Sequence, residues 1–597
     1  MKSVPFDERH SMDIASNSNS LIPRRAVVLD LLSIASVWIV SICIVNPIGN
    51  FPLNDDWSYG LTVKTLIYTR DFRPGGWTSL PLISNVAWGT LFCLPNGFSF
   101  TALRMSSLSL SLLGIIGAYL FIRELRQPRW LAVGTAVTLA ANPIYYAISN
   151  TFMSDVFYIA TTMFAALFFV RSLRSRSVRD LVIGTGLAAL ATLSRQLAIC
   201  LPLGFGISWV VMHGLKRSNM LRAIMPPLVC CGALYAYQQW LTRSGRLPAL
   251  YYVKLDGLLD TLTSPKLLFL SVTKNVFVAA LYLGLFMLPL LLLIAGNKRR
   301  FGRKHLATQF AFATMLMTLG IGVFALRGLR PAVTEARHYA PTYLMPLSGN
   351  ILTTSGIGPL TLADNWRGGD YAPVLPPLSR KVWIVVTFMS LIGAGLLVAI
   401  IVLTIPTVIN LVRHRGSQIV DKEIIGVFCV VSVCIYFAPL IVSSYIDRYL
   451  VPPIPLIVGG VACLLGLQQS FLWSKVPQRI CAGLLIAAMF VFSVGSTGDY
   501  LAWNRARWQA LKELMENDHV NAKDIDGGFE FNGLYMYDPD YQYDSKKSWW
   551  WVQGDTYKVS FGIIPGYTAI KEYRYHNWIP PRQRQVLVLK RQSASQQ

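Results

Sequence analysis

Charged residues are scarce in this chain. They make up 14% of its 597 residues against 53% hydrophobic residues, and the mean hydropathy is +0.45. An average soluble domain carries about a quarter charged residues. The shortage excludes a disordered chain, which needs low hydrophobicity and high charge. It also argues against an ordinary soluble enzyme. A single soluble core stops growing near about 250–300 residues, so this much apolar sequence needs the bilayer as a second apolar solvent. Acids are scarcer than bases: 30 Asp and Glu stand against 54 Lys and Arg, a net charge of +24. Such an excess suits nucleic acid or an anionic membrane. The hydropathy favours the membrane, and no nucleic-acid partner is expected.

Familiar catalytic motifs are missing too. The sequence holds no GxxxxGK[ST] loop, no GxGxxG after a strand, no HExxH and no GxSxG. Nothing therefore points to a nucleotide cradle, a helical zinc site or a nucleophile elbow. The nine cysteines lack CxxC spacing and nearly all lie inside apolar runs, which reads as buried small hydrophobes. Residues 1–23 are polar, and the apolar run after Arg24-Arg25 has no small-residue cleavage site behind it. An uncleaved first span is expected, not a signal peptide.

What the sequence has is long apolar runs. A span needs about 20 mostly apolar residues. Thirteen candidates lie near 26–47, 101–122, 130–148, 156–171, 180–195, 197–213, 221–240, 275–296, 306–326, 382–411, 424–443, 450–468 and 479–497. The stretch 80–95 is short and opens with Pro81, so an interfacial helix is expected there. With the N-terminus in the cytoplasm, every inside loop is short and basic, from Arg24-Arg25 to Lys475 and Arg479. The positive-inside rule is then satisfied without adjustment. Counting 80–95 as a span would invert every later loop. The expected fold is an all-α polytopic membrane protein, N-terminus inside and C-terminus outside, in the cytoplasmic membrane. A cytoplasmic tail at 1–25 precedes a membrane domain at 26–497 with outside loops 48–100, 241–274 and 327–381. Residues 498–597 form a small outside α+β domain.

That tail loses the apolar runs and gains aromatics. Residues 500–517 read as a helix continuing the last span. Gly527-Gly528, Pro539, Gly554, Gly566 and Pro580-Pro581 then mark turns between short elements, and Gln585 to Lys590 reads as a strand. Its aromatics form a core, or present a platform for sugar rings or the membrane interface.

Acids and arginines collect at the outer face. Asn54-Asp55-Asp56-Trp57-Ser58-Tyr59 follows the first span, and Asn150 to Asp155 separates two others. Neighbouring carboxylates cannot both point at one spot unless the backbone is irregular, so one is expected to work while the other assists or holds structure. Ser154 or Asp155 alternatively caps a helix. Interfacial acids are functional candidates. Arg195 in Leu193-Ser194-Arg195, the segment Glu335-Ala336-Arg337-His338-Tyr339, and Asp447-Arg448-Tyr449 lie at the same face. Arginines hold phosphate oxygens bidentately, although each alone also suits a lipid headgroup. A divalent cation on Asp55, Asp56 and His338 is a further option, with oxygen-rich ligation favouring a hard ion.

In this order the residues resemble the GT-C membrane glycosyltransferases, in the branch of the protein O-mannosyltransferases and the aminoarabinose (lipid A) transferases. Asp55-Asp56-Trp57-Ser58-Tyr59 matches their Asp-acid-x-x-Tyr opening, with Asp for the commoner Glu. Pro81-Leu82, Ala102-Leu103-Arg104-Met105, Asp155, Arg195 and Arg448-Tyr449-Leu450-Val451-Pro452 follow in the family's order. The likeness covers about residues 26–470. It implies transfer of a sugar from a polyprenyl-phosphate donor to an extracytoplasmic glycan, lipid or protein acceptor, at the membrane and without a nucleotide. It makes Asp55 the base, with Asp56 and Asp155 orienting or tuning charge. Arg195, Arg337, His338 and Arg448 hold the donor phosphate, and Tyr59, Glu335, Tyr339 and Tyr449 line the substrate site. The alternatives are a lipid-linked saccharide transporter or flippase, and a non-catalytic glycan-binding membrane protein.

Overall fold

A computed structural model describes residues 24–296, 303–326, 380–413, 421–443, 445–467, 476–542 and 551–592. Each of the thirteen apolar stretches contains helix among the described residues. The first helix is α1 (Arg24–Val45). The first outside segment folds as α2 (Asp56–Thr69) and α3 (Ile83–Cys93). Then come α4 (Phe100–Glu124), α5 (Arg129–Ala140), α6 (Pro143–Ser149), α7 (Ser154–Ser175), α8 (Val178–Thr192) and α9 (Cys200–His213). They are followed by α10 (Arg217–Arg243), α11 (Val253–Thr263), α12 (Pro265–Ala295), α13 (Arg303–Leu326), α14 (Arg380–Arg413), α15 (Asp421–Val442), α16 (Ile454–Leu465) and α17 (Val476–Glu516).

Among the described residues, ten helices are long and apolar enough to cross a membrane. The pair α5 and α6, bent by 61°, makes an eleventh when it is counted as one broken span. The sequence reads 130–148 as one continuous span, and Asn142-Pro143 is where it breaks. The Asn142 side chain accepts the N–H groups of Ile144 and Tyr145, and Pro143 opens α6. That is helix-start chemistry, and proline suits the first turn because its missing N–H would be unpaired there anyway. Helix α8 has 15 residues, short for a crossing. Only part of the 306–326 candidate has described side chains. The 11-residue α3 is apolar and too short to span, as the sequence led us to expect.

The basic helix ends gather together. At the C-terminal end of α4, Glu124 pairs with Arg171 and Arg174 of α7, at 2.9 and 3.6 Å. Arg176 meets His213 of α9 at 3.1 Å, and Arg129 at the start of α5 pairs with Asp30 of α1 at 2.6 Å. Loops expected on one side of the membrane therefore converge at one end of the helical body. Helices α12 and α14 cross closely: a Cβ on Gly284 would stand 2.2 Å from the backbone nitrogen of Ala394. Small residues permit such approaches between helices in lipid, where packing replaces the hydrophobic drive.

At the opposite end, α17 runs 41 residues, past its apolar part, into the tail. There β1 (Ile525–Asp526), α18 (Phe529–Met536), β2 (Tyr557–Ser560), β3 (Tyr567–Trp578) and β4 (Pro581–Arg591) follow. The sheet order is β1-β2-β4-β3, with β1 parallel to β2 and the other pairs antiparallel. Asp499 of α17 accepts the N–H groups of Trp578 and Ile579, at 2.6 and 3.0 Å, and so docks the tip of the β3–β4 hairpin. The tail's aromatics do form a core, and Trp57 from the first outside segment lies inside it, beside Phe529, Phe531 and Trp551. The sequence separates these two segments by more than four hundred residues. The fold packs them as one body.

Candidate functional site

The site begins with a loop held open by an arginine. Arg104 of α4 is buried and donates to the carbonyls of Pro47 at 2.5 Å, Gly49 at 3.1 Å and Phe51 at 3.0 Å. Its guanidinium also lies 5.1 Å from the Phe51 ring centre. One side chain thereby satisfies three carbonyls that an irregular backbone leaves without ladder partners. The loop then turns at Asn54, whose φ of 57° is left-handed, and Asp55 precedes the first residue of α2.

Asp55 occupies the N-cap position without using its side chain as the cap. The carboxylate is instead directed at two other partners. Oδ1 accepts the indole N–H of Trp77 at 3.0 Å. Oδ2 lies 3.7 Å from Nη2 of Arg448. The side chain is 19% exposed, so it remains reachable.

Asp56 has different surroundings. Its Oδ1 accepts the N–H of Leu53, and its Oδ2 accepts the N–H of Phe152 at 3.2 Å. Burial pushes its carboxyl well above the usual range, against the pull of the Arg104 charge and those two N–H groups. The two neighbouring acids thus divide in the way their adjacency requires, one reachable and one tying the loop to the start of α7. Tyr59, one turn along α2, is buried. Burial, and next the Asp55 carboxylate, raise its phenol far above the ordinary value.

Asp155 sits in the first turn of α7 with no exposed surface. Neither Asp155 nor Ser154 caps that helix: the N-cap position is Met153, with no side-chain cap. This corrects the capping alternative. Asp155 is taken by two arginines, Nη2 of Arg195 at 2.9 Å and Nη1 of Arg448 at 3.8 Å. Ser154 receives Nε of Arg195 at 2.9 Å. Arg195 lies 4.9 Å and Arg448 5.9 Å from the Tyr449 ring centre. Arg448 and Tyr449 belong to a short 3-10 turn, Asp447–Leu450, and the Tyr436 hydroxyl donates to the Tyr449 carbonyl at 2.7 Å.

The result is a row of alternating charge, Asp55, Arg448, Asp155 and Arg195, assembled from four separate segments. One buried carboxylate, Asp155, and the partly exposed Asp55 compensate two buried arginines, as burial of charge demands. Arg195 is committed to Asp155 and Ser154, whereas Arg448 borders the reachable Asp55. Glu335, Arg337, His338 and Tyr339 lie outside the described residues. Among the described residues, no group of three or more His, Cys, Asp or Glu side chains is placed to hold a metal.

Sequence reasoning missed Trp77, Tyr436 and Glu530. Glu530 of α18 accepts the N–H of Asn54 at 2.9 Å. Only Trp77 carried a local signal, an aromatic after Gly75-Gly76 in the first outside segment.

Comparison with known proteins bears on this site. No curated protein matches the sequence. The similar solved structures include the two that follow. The protein O-mannosyltransferase Pmt1-Pmt2 complex of S. cerevisiae, bound to the sugar donor, is 15% identical with a TM-score of 0.30, over 40% of this chain and 37% of that one. ArnT from Cupriavidus metallidurans, bound to undecaprenyl phosphate, is 14% identical with a TM-score of 0.36, over 94% of this chain and 97% of that one. The chain thus spans little more than a third of the yeast protein it matches. Residues 81–241, from the start of α3 through most of α10 and including Asp155 and Arg195, match the family model of the dolichyl-phosphate-mannose-protein mannosyltransferases, the branch that the sequence motifs resemble.

Proposed function

We propose that the chain transfers a sugar from a polyprenyl-phosphate carrier to a hydroxyl-bearing acceptor on the outer side of the cytoplasmic membrane. The observation that carries this reading is the Asp55–Arg448 pair: a reachable carboxylate beside a buried guanidinium. Asp55 takes the proton of the acceptor hydroxyl, the role of a base within hydrogen-bond reach. The acceptor oxygen attacks the anomeric carbon from the face opposite the carrier. The bond from that carbon to the phosphate oxygen breaks, the configuration inverts, and the polyprenyl phosphate leaves with its electron pair.

Arg448 meets the negative charge that develops on the departing phosphate, where a preformed donor contributes most. Asp155 and Arg195 hold Arg448 in place, and Arg195 reaches the phosphate only if its present partners yield. Asp56 fixes the loop, and Tyr59 and Tyr449 flank the site. Arg337 and His338, assigned to the phosphate, and Glu335 and Tyr339, assigned to the acceptor, rest on the sequence alone. The gathering of basic loops at the other end of the body supports an inside N-terminus and an outside tail.

The test is transfer in vitro from defined polyprenyl-phosphate sugars by the purified full chain, with Asp55→Asn as control. Transfer lost in Asp55→Asn, with membrane insertion intact, is the expected outcome. Near-normal transfer by Asp55→Asn would overturn the base assignment, and a carrier moved across vesicles without transfer would favour a flippase.

A further inference from the structure

The tail reaches into the turn that aims the proposed base. Asn54 holds a left-handed φ of 57° immediately before Asp55. Such a conformation is strained for most side chains and persists only when its surroundings fix it. Two contacts fix it here. The Asn54 side-chain oxygen accepts the N–H of Asp55 at 2.8 Å. The Asn54 N–H is accepted by Oε1 of Glu530, 476 residues away, at 2.9 Å.

Glu530 is itself locked. It is fully buried, its Oε2 takes Nη1 of Arg507 at 3.0 Å, and its Oε1 also receives the Tyr500 hydroxyl at 3.3 Å. Arg507 and Tyr500 both belong to α17. Asn504, one turn before Arg507, accepts from the same Nη1 at 3.2 Å. A buried carboxylate is costly unless paired and hydrogen-bonded. Packing the tail on α17 alone does not require an acid at this place. What the acid adds is an acceptor for a loop N–H that has no other partner among the described residues.

We propose that Glu530 is a positioning residue for Asp55, so that the outside tail is part of the transfer machinery through this one contact. The inference rests on the reading of Asp55 as the base. Glu530 does not touch substrate; it sets the direction from which the Asp55 carboxylate meets the acceptor hydroxyl.

The experiment uses the full chain in detergent or vesicles, with defined polyprenyl-phosphate sugar and acceptor, and compares Glu530→Ala with Glu530→Gln. Misplacement of a reacting group by about 1 Å costs on the order of a hundredfold in rate. Glu530→Ala is therefore expected to lower kcat per folded molecule by about tenfold to a hundredfold, with the donor KM within about twofold. Glu530→Gln, whose amide oxygen still accepts the Asn54 N–H, is expected to recover most of kcat. A purely structural role would lower the folded fraction and leave kcat per folded molecule unchanged; that result overturns the proposal.

If Glu530→Ala does not fold, Glu530→Met combined with Arg507→Met serves instead. Removing both buried partners together avoids a stranded charge, yet still deletes the acceptor, so the same fall in kcat is expected and an unchanged kcat overturns the proposal. Failure here is distinct from failure of the base. Asp55→Asn inactive with Glu530→Ala unaffected refutes the positioning alone, whereas Asp55→Asn active refutes the base.

Discussion

Nη2 of Arg448 lies 3.7 Å from Oδ2 of Asp55, close enough for an ion pair and too far for a hydrogen bond. The attraction holds the carboxylate in place while leaving lone pairs on that oxygen for an incoming hydroxyl. On the other side, Nη1 of Arg448 is 3.8 Å from Asp155. A planar guanidinium can face two carboxylates at once, and a lysine ammonium cannot do so from the same position. Arg448→Lys is expected to retain the charge and lose the geometry. Removing one preformed donor from a developing anion costs about a hundredfold to a thousandfold in kcat. Single-turnover transfer, separated from donor binding, is the measurement. A lysine variant within a few-fold of wild type would show that charge alone suffices.

Trp77 provides a gentler perturbation of the same carboxylate. Its indole N–H meets Asp55 Oδ1 at 3.0 Å. A hydrogen bond to a charged group contributes about 1.5–3 kcal/mol, and the bond also fixes which oxygen faces Arg448. Trp77→Phe keeps an aromatic ring next to Trp551, whose centre lies 5.0 Å away. We expect about a tenfold loss or more in kcat, at about 1.4 kcal/mol per decade, with little change in thermal stability. A fall in stability with kcat unchanged would assign Trp77 to packing.

The sequence made part of this site legible for a physical reason. Asp55, Asp155, Arg195 and Arg448 are charged residues at the borders of apolar runs, where charge is costly and therefore conspicuous. Their convergence follows once each border is assigned to the same membrane face. Glu530 and Arg507 were invisible because they lie in a polar tail, where an acid and a base are unremarkable. Their importance arises only from a contact across 476 residues. Arg104 was legible as a motif but not as the holder of the 47–51 backbone, since nothing local shows that this loop lacks carbonyl partners. The break at Asn142-Pro143 was readable, because an Asn followed by Pro favours a turn. The apolar residues on both sides masked it.

Acidity probes the tail. Burial pushes the Asp555 carboxyl upward, but Lys558 at 3.3 Å, the Tyr567 hydroxyl at 3.0 Å and Arg591 outweigh it and hold the group below its ordinary value. A depressed carboxylate contributes stability that is present above the unfolded value of about 3.9 and is lost as pH falls through the folded one. The gap in thermal midpoint between wild type and Asp555→Asn should therefore be larger at neutral pH than in the acid range below that value. The measurement is a pair of melts of the full chain at each pH. A gap that does not change with pH would place the tail's stability elsewhere.

Deleting the tail cannot separate an enzyme from a glycan-binding scaffold, because the tail is not separable. Trp57, two residues after Asp55, is 1% exposed, with ring centres 5.4 Å from both Tyr537 and Trp551. Gly533 of α18 leaves room for it: a Cβ there would come within 2.4 Å of the indole. Truncation at 498 would strand this indole and remove the Glu530 contact together, abolishing function under either reading. Trp57→Ala probes the shared core directly. Emptying such a site costs about 3–5 kcal/mol, enough to loosen the tail from the first outside segment. We expect faster proteolysis of the β2–β4 region together with loss of transfer, because the turn at Asn54 loses its support. Loosening of the tail with transfer retained would show that the Asp55 loop holds its shape through Arg104 and Asp56 alone.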